Sequence, residues 1–332
     1  MSDKSTTIKN IRFEVMQTLE KQVDQFMTKF LMKPEKFWQP TDFLPNSQKD
    51  TFLEEIKEIQ ELSKELDDDF WVVLVGDTVT EEALPTYESW LMNIEGISQS
   101  PDNGWAKWIR AWTSEEKNHG NVLNKYLYLS GRVNMREVEI STQHLITDGF
   151  DIGTARDPYK NFVYTSFQEL ATYISHINVA QMAKAKGHNA LAKMSKVIAG
   201  DEMRHHIAYS HFIKEIFKID PSEMMIAYRD MLKNKIVMPA MYLRESSENQ
   251  GDMFDKFATV AQRIGVYTSF DYVDIIKKLN SLWEIDQIRG LTDEAKKARD
   301  YLLKMPKIMS RIAERIEIPT TKYNFKWMIP AV

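Results

Sequence analysis

The sequence contains no cysteine, and this absence removes several classes of chemistry at once. The chain cannot form disulfides, thiolate zinc sites or cysteine-ligated iron–sulfur clusters, and it has no cysteine nucleophile. Any metal that it binds must therefore be held by histidine, aspartate and glutamate side chains.

Long apolar runs and an excess of positive charge are also missing. No stretch approaches the ~18 consecutive apolar residues of a membrane span, and the first residues lack the charged-then-apolar layout of a secretory signal. The net charge of −5 and the pI near 5.9 argue against a nucleic-acid binder that relies on bulk positive charge. These features predict a cytoplasmic protein with no membrane span and no nucleic-acid partner.

Glycine and proline are scarce, with 12 and 11 in 332 residues, so breaks in regular structure are few. Apolar residues recur at helical spacing, as at Phe13, Met16 and Leu19. The best strand candidate, Trp71–Val75, leads directly into a helical pattern. We therefore predict an all-α protein with one domain over residues 1–332. The expected helices are 8–32, 49–65, 69–98, 104–131, 134–148, 157–185, 189–216, 222–245, 250–264, 268–286 and 292–316.

Two Glu-x-x-His pairs lie within these predicted helices. The first pair is Glu116 and His119, and the second pair is Glu202 and His205. Three residues of α-helix turn through about 300°, so both side chains of a pair project from one face. One such pair arises easily by chance in a chain rich in glutamate, and two are only a modest surplus. The surroundings must decide between a metal site and a solvated helix face.

A di-iron site in a helical bundle takes one glutamate from each of two helices and a Glu-x-x-His pair from each of two others. If two of these helices form an antiparallel hairpin, its turn must lie halfway between the lone glutamate and the pair. Glu169 meets this condition with the second pair, because the midpoint falls at the turn signal around Gly187. Glu81, beside Glu82, meets it with the first pair, because that midpoint falls just before Pro101.

The charges of such a site also balance. Four carboxylates neutralise two ferrous ions, whereas buried carboxylates without a cation cost several kcal/mol or take up protons. Oxygen and imidazole ligands suit iron or manganese better than a thiolate-preferring metal. The spacing therefore predicts four ligand-bearing helices, at approximately residues 69–98, 104–131, 157–185 and 189–216.

Long motifs around these residues resemble the soluble plant-type acyl-[acyl-carrier-protein] desaturases. The similarity begins at WQPTDFLP, runs to NFKWMI near the C-terminus, and includes EEALPTY, RAWTSEEKNHG, NKYLYLSGRV, YTSFQE, GDEMRH and VAQRIGVYT. It implies a ferritin-like four-helix di-iron bundle elaborated with additional helices. It also implies two iron ions per chain, held by Glu81 rather than Glu82 and by Glu116, His119, Glu169, Glu202 and His205.

The resemblance implies a reaction and its partners. In this family O₂ and electrons from ferredoxin are used to introduce a cis double bond into a saturated chain carried on acyl carrier protein, and the enzymes are homodimers. Because this chain has no cysteine to hold a cluster, its electron donor must be external. No plastid transit peptide is recognisable, which we interpret as a bacterial-type cytoplasmic location. The loop between Gly96 and Trp105 is shorter than in the plant enzymes, and Asn118 replaces an arginine.

Three further residues are candidates for proton or electron delivery. Thr172 follows Glu169 by one helical turn, so its hydroxyl could serve oxygen activation or proton delivery, with plain helix packing as the alternative. Asp201 precedes a ligand and could accept a hydrogen bond from His119. The family places Trp38 beyond such an aspartate, on an electron route; without the resemblance we would interpret Trp38 as a core residue.

The resemblance also indicates substrate contacts. The far end of the acyl cavity corresponds to Trp90, Asn161 and Phe162, and the plant stearoyl enzymes carry smaller residues at the first two positions. Extra volume in a packed tunnel costs ~1–3 kcal/mol, which predicts a preference for sixteen carbons or fewer over eighteen. The alternative is that Trp90 packs into the core and leaves the tunnel unchanged. Because the carrier protein and this chain are both acidic, docking needs a local basic patch. The candidates are Arg229, Lys233, Lys235 and Lys256.

Other classes of protein fit less well. A ribonucleotide reductase radical subunit has the same ligand plan but needs a tyrosine one turn after the first pair, where this chain has Leu123. A rubrerythrin-like peroxidase would need a cysteine-bound iron. An iron store would not need two full pairs, and a purely structural bundle would not need six ligands at one height. The alternative that stays open is another ferritin-like di-iron protein, such as an oxygenase or an iron-binding protein.

Overall fold

The computed structural model describes residues 2–329, with side chains from Asn10 onward. These residues form α-helices and two short 3₁₀ helices, and their only β-type pairing is an isolated bridge between Val133 and Met328. The prediction of an all-α protein is confirmed. The α-helices are α1 (Ser2–Glu20), α2 (Val23–Phe30), α3 (Phe52–Ser63), α4 (Asp68–Glu82), α5 (Leu84–Leu91), α6 (Gly104–Ser130), α7 (Met135–Asp148), α8 (Pro158–Ala185), α9 (Asn189–Ile219), α10 (Pro221–Lys233), α11 (Phe254–Ile264), α12 (Ser269–Leu282) and α13 (Asp293–Ala313).

Four of these helices, α4, α6, α8 and α9, form the central bundle. The longest two, α8 and α9, make a hairpin whose turn occupies residues 186–188, where the halfway condition placed it. Helix α6 packs against α4 and also contacts α9. Asp157 caps the start of α8 by accepting hydrogen bonds from two backbone amides, and Pro158 follows at the first helical position.

The strand-like run Trp71–Val75 lies inside α4. Every residue from Phe70 to Gly76 is buried, because α4 is surrounded by α6, α7 and α11. A helix buried on all sides carries apolar residues all round and loses its amphipathic period. The alternation that resembled a strand therefore reflects complete burial.

The predicted helix 69–98 is wrong as a single element. The backbone leaves helical geometry at Ala83, with ψ at 18°, and divides the segment into α4 and α5. Pro85, in the first turn of α5, has no amide hydrogen and cannot continue the hydrogen bonds of α4. As a consequence, Glu81 lies in the last turn of α4.

Two other predicted helices are also shorter than expected. The segment 8–32 is interrupted at residues 21–22, between α1 and α2. The segment 222–245 is helical only to Lys233, because Lys235 adopts a left-handed φ of 60° and Pro239 begins a 3₁₀ helix, Pro239–Tyr242. The chain that follows α10 is therefore an irregular strip rather than a helix.

A continuous hydrophobic core includes residues from Val15 to Trp327. No helix within residues 2–329 is long and apolar enough to cross a membrane. The assignment of residues 1–332 to one domain reaches beyond the described residues and stays a prediction.

Helix α4 leaves very little space at Gly76 for a side chain, because Phe257 of α11 packs against it. A methyl group added there would lie 2.2 Å from the Phe257 ring. Overpacking of this kind costs about 1–3 kcal/mol, more than the 0.5–1 kcal/mol that a helix gains from alanine in place of glycine. We therefore expect Gly76→Ala to lower the free energy of unfolding, measured by denaturant titration. Gly200→Ala in α9, with no neighbour within 4 Å, is the matched control and should be stabilising. Equal stability of the two variants would contradict this packing.

Candidate metal centre

The four bundle helices bring all six predicted ligands together. Their ligand atoms form two groups, and within each group the atoms lie within 4.8 Å of one another. Glu116 belongs to both groups. The first group also contains Glu81, His119 and Glu202, and the second also contains Glu169 and His205. All six are buried except Glu81, which is partly exposed to a cavity.

Glu116 presents one carboxylate oxygen to each histidine. Its Oε2 lies 3.2 Å from Nδ1 of His119, and its Oε1 lies 2.6 Å from Nδ1 of His205. Nδ1 of His119 is also 3.1 Å from Glu202 Oε1, and Nδ1 of His205 is 3.6 Å from Glu169 Oε2. Both imidazoles therefore turn the same ring nitrogen towards the shared carboxylate.

Five buried ligand atoms in this cluster lie close to one another, yet none of them forms a hydrogen bond of normal geometry with another described residue. A buried polar atom without a partner costs about 1–3 kcal/mol, so five such atoms in one small space call for a common explanation. Carboxylate oxygens and imidazole nitrogens that converge in this way are the donor set of a bound cation. The atoms are Glu116 Oε1, His119 Nδ1, Glu169 Oε2, Glu202 Oε1 and His205 Nδ1. The residues therefore fit a metal site.

The burial and the charges of the cluster support the same conclusion. Burial raises the pKa of Glu169, and the charges of Glu116 and Glu202 raise it further. At His119 and His205 burial acts in the opposite direction, but the charge of Glu116 and hydrogen bonds to neighbouring carboxylates raise both pKa values well above the usual range. Without a cation, this cluster retains protons that would compensate its negative charge.

The outer nitrogen of His119 faces the predicted aspartate and tryptophan. Nε2 of His119 is 3.4 Å from Asp201 Oδ2, and the same oxygen accepts a hydrogen bond of 2.6 Å from Trp38 Nε1. The indole also stacks on the imidazole of His119, with 6.0 Å between ring centroids and 7° between planes. Trp38 is half-buried, so it connects the cluster to the protein surface.

Glu115 has the same place beside His205 that Asp201 has beside His119. Nε2 of His205 is 2.8 Å from Glu115 Oε2, and the backbone amide of Met32 donates to Glu115 Oε1 at 2.5 Å. Sequence reasoning excluded Glu115 as a ligand and assigned it no other role. The signal was present, because each pair is immediately preceded by an acidic residue, Glu115 or Asp201.

A single guanidinium joins these two outer carboxylates. Arg204 donates through one terminal nitrogen to Asp201 Oδ1 at 2.5 Å, and its other terminal nitrogen pairs with Glu115. Its Nε donates to the backbone oxygen of Phe30 at 2.9 Å. Arg204 was not predicted, and it mechanically couples the orientations of the two histidines.

The ligand carboxylates have further hydrogen-bond partners. Thr172 Oγ1 lies 2.6 Å from Glu202 Oε2, and also within hydrogen-bond distance of the backbone oxygens of Gln168 and Glu169. The predicted proximity of Thr172 to the cluster is therefore observed. The other two partners are His176, 3.0 Å from Glu81 Oε1, and Trp112, whose Nε1 donates to Glu169 Oε1 at 3.1 Å.

A cavity of about 760 Å³ opens onto the cluster. Only two of the six candidate ligands, Glu81 and Glu116, line it, and Thr172 lies beside them on the wall. The remaining wall comes mainly from apolar side chains of α4, α8, α11, the irregular strip after α10 and the end of α13. This volume lies within the roughly 300–1,000 Å³ of small-molecule sites.

One carboxyl group on the cavity wall also has a shifted pKa. Burial raises the pKa of Asp77 to about 6.

The residues predicted to end the acyl tunnel do not line this cavity. Asn161 is buried and donates to the backbone oxygen of Asp157 at 2.8 Å. Phe162 packs among aromatic rings, including Trp105, and Trp90 packs partly buried against the core. Their role in substrate length stays a prediction.

The predicted docking residues divide into two kinds. Arg229 pairs with Asp230 at 2.6 Å, and Lys256 pairs with Glu248 at 2.8 Å, so both charges are compensated locally. Lys233 and Lys235 are exposed and form no ion pair with another described residue. Lys235 also lines the cavity.

Two Glu-x-x-His pairs and two further glutamates on four helices define the class of ferritin-like carboxylate metal proteins. Residues 11–329 match the family described as fatty acid desaturase. The chain belongs to this family.

Individual relatives agree with this assignment. The chain is 46% identical over 309 residues to a chloroplastic stearoyl-[acyl-carrier-protein] 9-desaturase of Gossypium hirsutum, covering 92% of this chain and 77% of the relative. It is 45% identical over 307 residues to the corresponding enzyme of Spinacia oleracea, covering 92% and 76%. An X-ray structure provisionally assigned as acyl-ACP desaturase DesA2 of Mycobacterium tuberculosis H37Rv has a TM-score of 0.53 at 16% identity, covering 86% of this chain and 99% of that chain. This last likeness supports the ferritin-like helical fold.

We expect metal loading to release protons and to tighten as pH rises. The raised pKa values of Glu169, His119 and His205 mean that the metal-free cluster holds protons near neutral pH, and a cation must displace them. Anaerobic titration with Fe²⁺ at about pH 6 and about pH 8, by calorimetry in two buffers of different ionisation enthalpy, would measure both effects. Glu169→Gln should release fewer protons. The same affinity at both pH values, without proton release, would contradict the protonated cluster.

Proposed function

We propose that this chain is an acyl-[acyl-carrier-protein] desaturase that uses O₂, two electrons and a di-iron centre to introduce a cis double bond into a saturated acyl chain. The observation that carries the proposal is the carboxylate–histidine cluster at the wall of a largely apolar cavity. An apolar cavity suits a hydrocarbon chain, and only a strong oxidant breaks an unactivated C–H bond. Relatives named as stearoyl-carrier-protein 9-desaturases support the substrate class.

Six residues would hold two iron ions. Glu81, His119 and Glu202 would contribute to one ion and Glu169 and His205 to the other, and Glu116 belongs to both groups of ligand atoms. Bound iron would supply the oxidising power, drawn from O₂, that the C–H bonds require.

The residues of the chain bind the substrate and exclude water from it. The acyl chain would lie in the cavity so that its reacting methylenes face Glu81 and Glu116, the two candidate ligands on the wall. Trp112 lines the cavity beside them and donates to Glu169, so it holds that carboxylate while closing the apolar side. Thr172 lies on the wall with its Oγ1 2.6 Å from Glu202 Oε2, so its hydroxyl would transfer protons between the cavity and the cluster.

Electrons would enter from outside, because the chain has no cysteine to hold a cluster of its own. The proposed route is the contact series from half-buried Trp38 through Asp201 to His119. A ferredoxin as the donor and a homodimeric assembly are parts of the same proposal, and they rest on the family resemblance.

The first test is turnover after reconstitution with iron, a ferredoxin system and acyl carrier protein substrates. We expect about two irons per chain and an alkene as the product, located by mass spectrometry. His119→Ala and Glu202→Ala should abolish turnover while circular dichroism shows the helical fold largely intact. His144→Ala, on α7 and remote in sequence from the cluster, is the control and should remain active. Full activity in either ligand variant would contradict the assignment of these residues as metal ligands. A hydroxylated product would indicate an oxygenase rather than a desaturase.

The second test concerns chain length. If Trp90 narrows the end of the tunnel, two methylenes that no longer fit lose ~0.8 kcal/mol of burial each, a shift of roughly tenfold. We expect the wild type to prefer palmitoyl over stearoyl carrier protein in direct competition, and Trp90→Met to move the preference towards the longer chain. Preference of the wild type for stearoyl, or no shift in the variant, would show that Trp90 does not end the tunnel.

A further inference from the structure

The second half of α13 and the residues just after it expose two kinds of side chain next to each other. Four basic residues lie three or four positions apart, and three isoleucines lie at intervals of four, so each set forms a stripe along the helix. We call this surface the α13 face. Its basic residues are Lys304, Lys307, Arg311 and Arg315, and its apolar residues are Ile308, Ile312 and Ile316.

Neither stripe is covered by the rest of the chain. The isoleucines are 48%, 52% and 41% exposed, in chain order. None of the four basic side chains forms an ion pair with another residue in the described range 2–329. By contrast, Lys296 on the same helix pairs with Asp293 at 3.0 Å. Contiguous exposed apolar residues bordered by unpaired charge mark an interaction surface rather than a solvated face.

The α13 face is continuous with the opening of the cavity. Ile312 and Ile316 are both exposed and on the cavity wall, so they lie where the cavity meets solvent. Lys235 lines the same cavity, and α10, which ends at Lys233, packs against α13. The opening is therefore bordered by isoleucine side chains and by Lys235, which comes from the irregular strip after α10.

The charge of this surface is opposite to that of the whole molecule. With Lys235 on the adjoining cavity wall it carries five cationic side chains, against the carboxylates of Glu314 and Glu317 in the same stretch of chain. The whole chain has a net charge of −5. An acidic partner would thus be attracted here and repelled elsewhere, which fixes both the place and the orientation of docking.

We propose that the α13 face is the docking surface for the acidic carrier protein that delivers the acyl thioester; this rests on the proposed function. Carboxylates of the carrier would pair with Lys307 and Arg311 while its apolar side chains cover the isoleucines. The thioester arm would then enter the adjoining cavity. A second copy of this chain fits less well, because a two-fold contact through this face would bring like charges together.

The test separates docking from chemistry. We expect the double variant Lys307→Glu/Arg311→Glu to raise KM for acyl carrier protein substrate roughly tenfold or more, while kcat at saturation and iron content stay unchanged. Ile308→Ser, which is not on the cavity wall, should also raise KM. The KM of the wild type should rise with added salt, because salt screens the attraction between opposite charges. The KM of the double variant should depend much less on salt. Lys297→Glu, exposed on the same helix but outside the face, is the matched control and should behave as wild type.

Direct binding and sedimentation complete the experiment. Fluorescence anisotropy with labelled acyl carrier protein measures docking without turnover, so it distinguishes a failed docking surface from a failed function. Unchanged KM and unchanged binding in the double variant would overturn the proposal and leave desaturation standing. If the charge-reversal or Ile308→Ser variant instead dissociates a wild-type dimer, the face is a contact between copies and the proposal is overturned. The milder Lys307→Gln/Arg311→Gln variant gives the same readouts if the reversal fails to fold.

Discussion

Burial of four carboxylates within a few ångströms of each other is the constraint on which the rest of this structure depends. Like charges so close in a low-dielectric interior cannot all stay ionised without compensation. Glu116 shows the balance: burial would raise its pKa, but the charges and hydrogen bonds of His119 and His205 lower it. Glu169, with less compensation, has its pKa raised. Protons or cations must complete the site, and the convergence of ligand atoms that do not satisfy one another with normal hydrogen-bond geometry favours cations.

Holding these groups in place requires a second layer of charges. Asp201 and Glu115 each orient one histidine, and Arg204 ties both to the end of α2 through the backbone oxygen of Phe30. Partners of this kind fix the tautomer and direction of a ligating imidazole. Because one guanidinium serves both sides, displacement of Arg204 would disturb both halves of the site together. Trp38 adds a half-buried aromatic link from this layer to the surface.

The cavity owes its shape to irregular backbone. The break at Ala83 ends α4 at Glu82, one residue after Glu81, and the chain after Lys233 leaves the helix to form part of the wall. Regular helices pack closely against one another, so an enclosed space beside a bundle requires positions where a helix ends and irregular backbone follows. The metal cluster and the cavity meet at Glu81, in the last turn of α4, and at Glu116 of α6, and the solvent side of that cavity adjoins the uncovered α13 face.

Local sequence determined the helices, the hairpin turn at residues 186–188 and the candidate ligands, because helical spacing and turn signals are properties of neighbouring residues. The acidic residue before each pair was also visible, although only Asp201 was interpreted. Tertiary structure alone decided which side chains Arg204, Trp112 and His176 contact, since each meets a partner distant in sequence. It also decided that Arg229 and Lys256 are neutralised while Lys307 and Arg311 are not. The sequence around a lysine does not reveal whether a carboxylate lies beside it in the folded protein. The distance between the two charged groups is set by the packing of the helices that carry them.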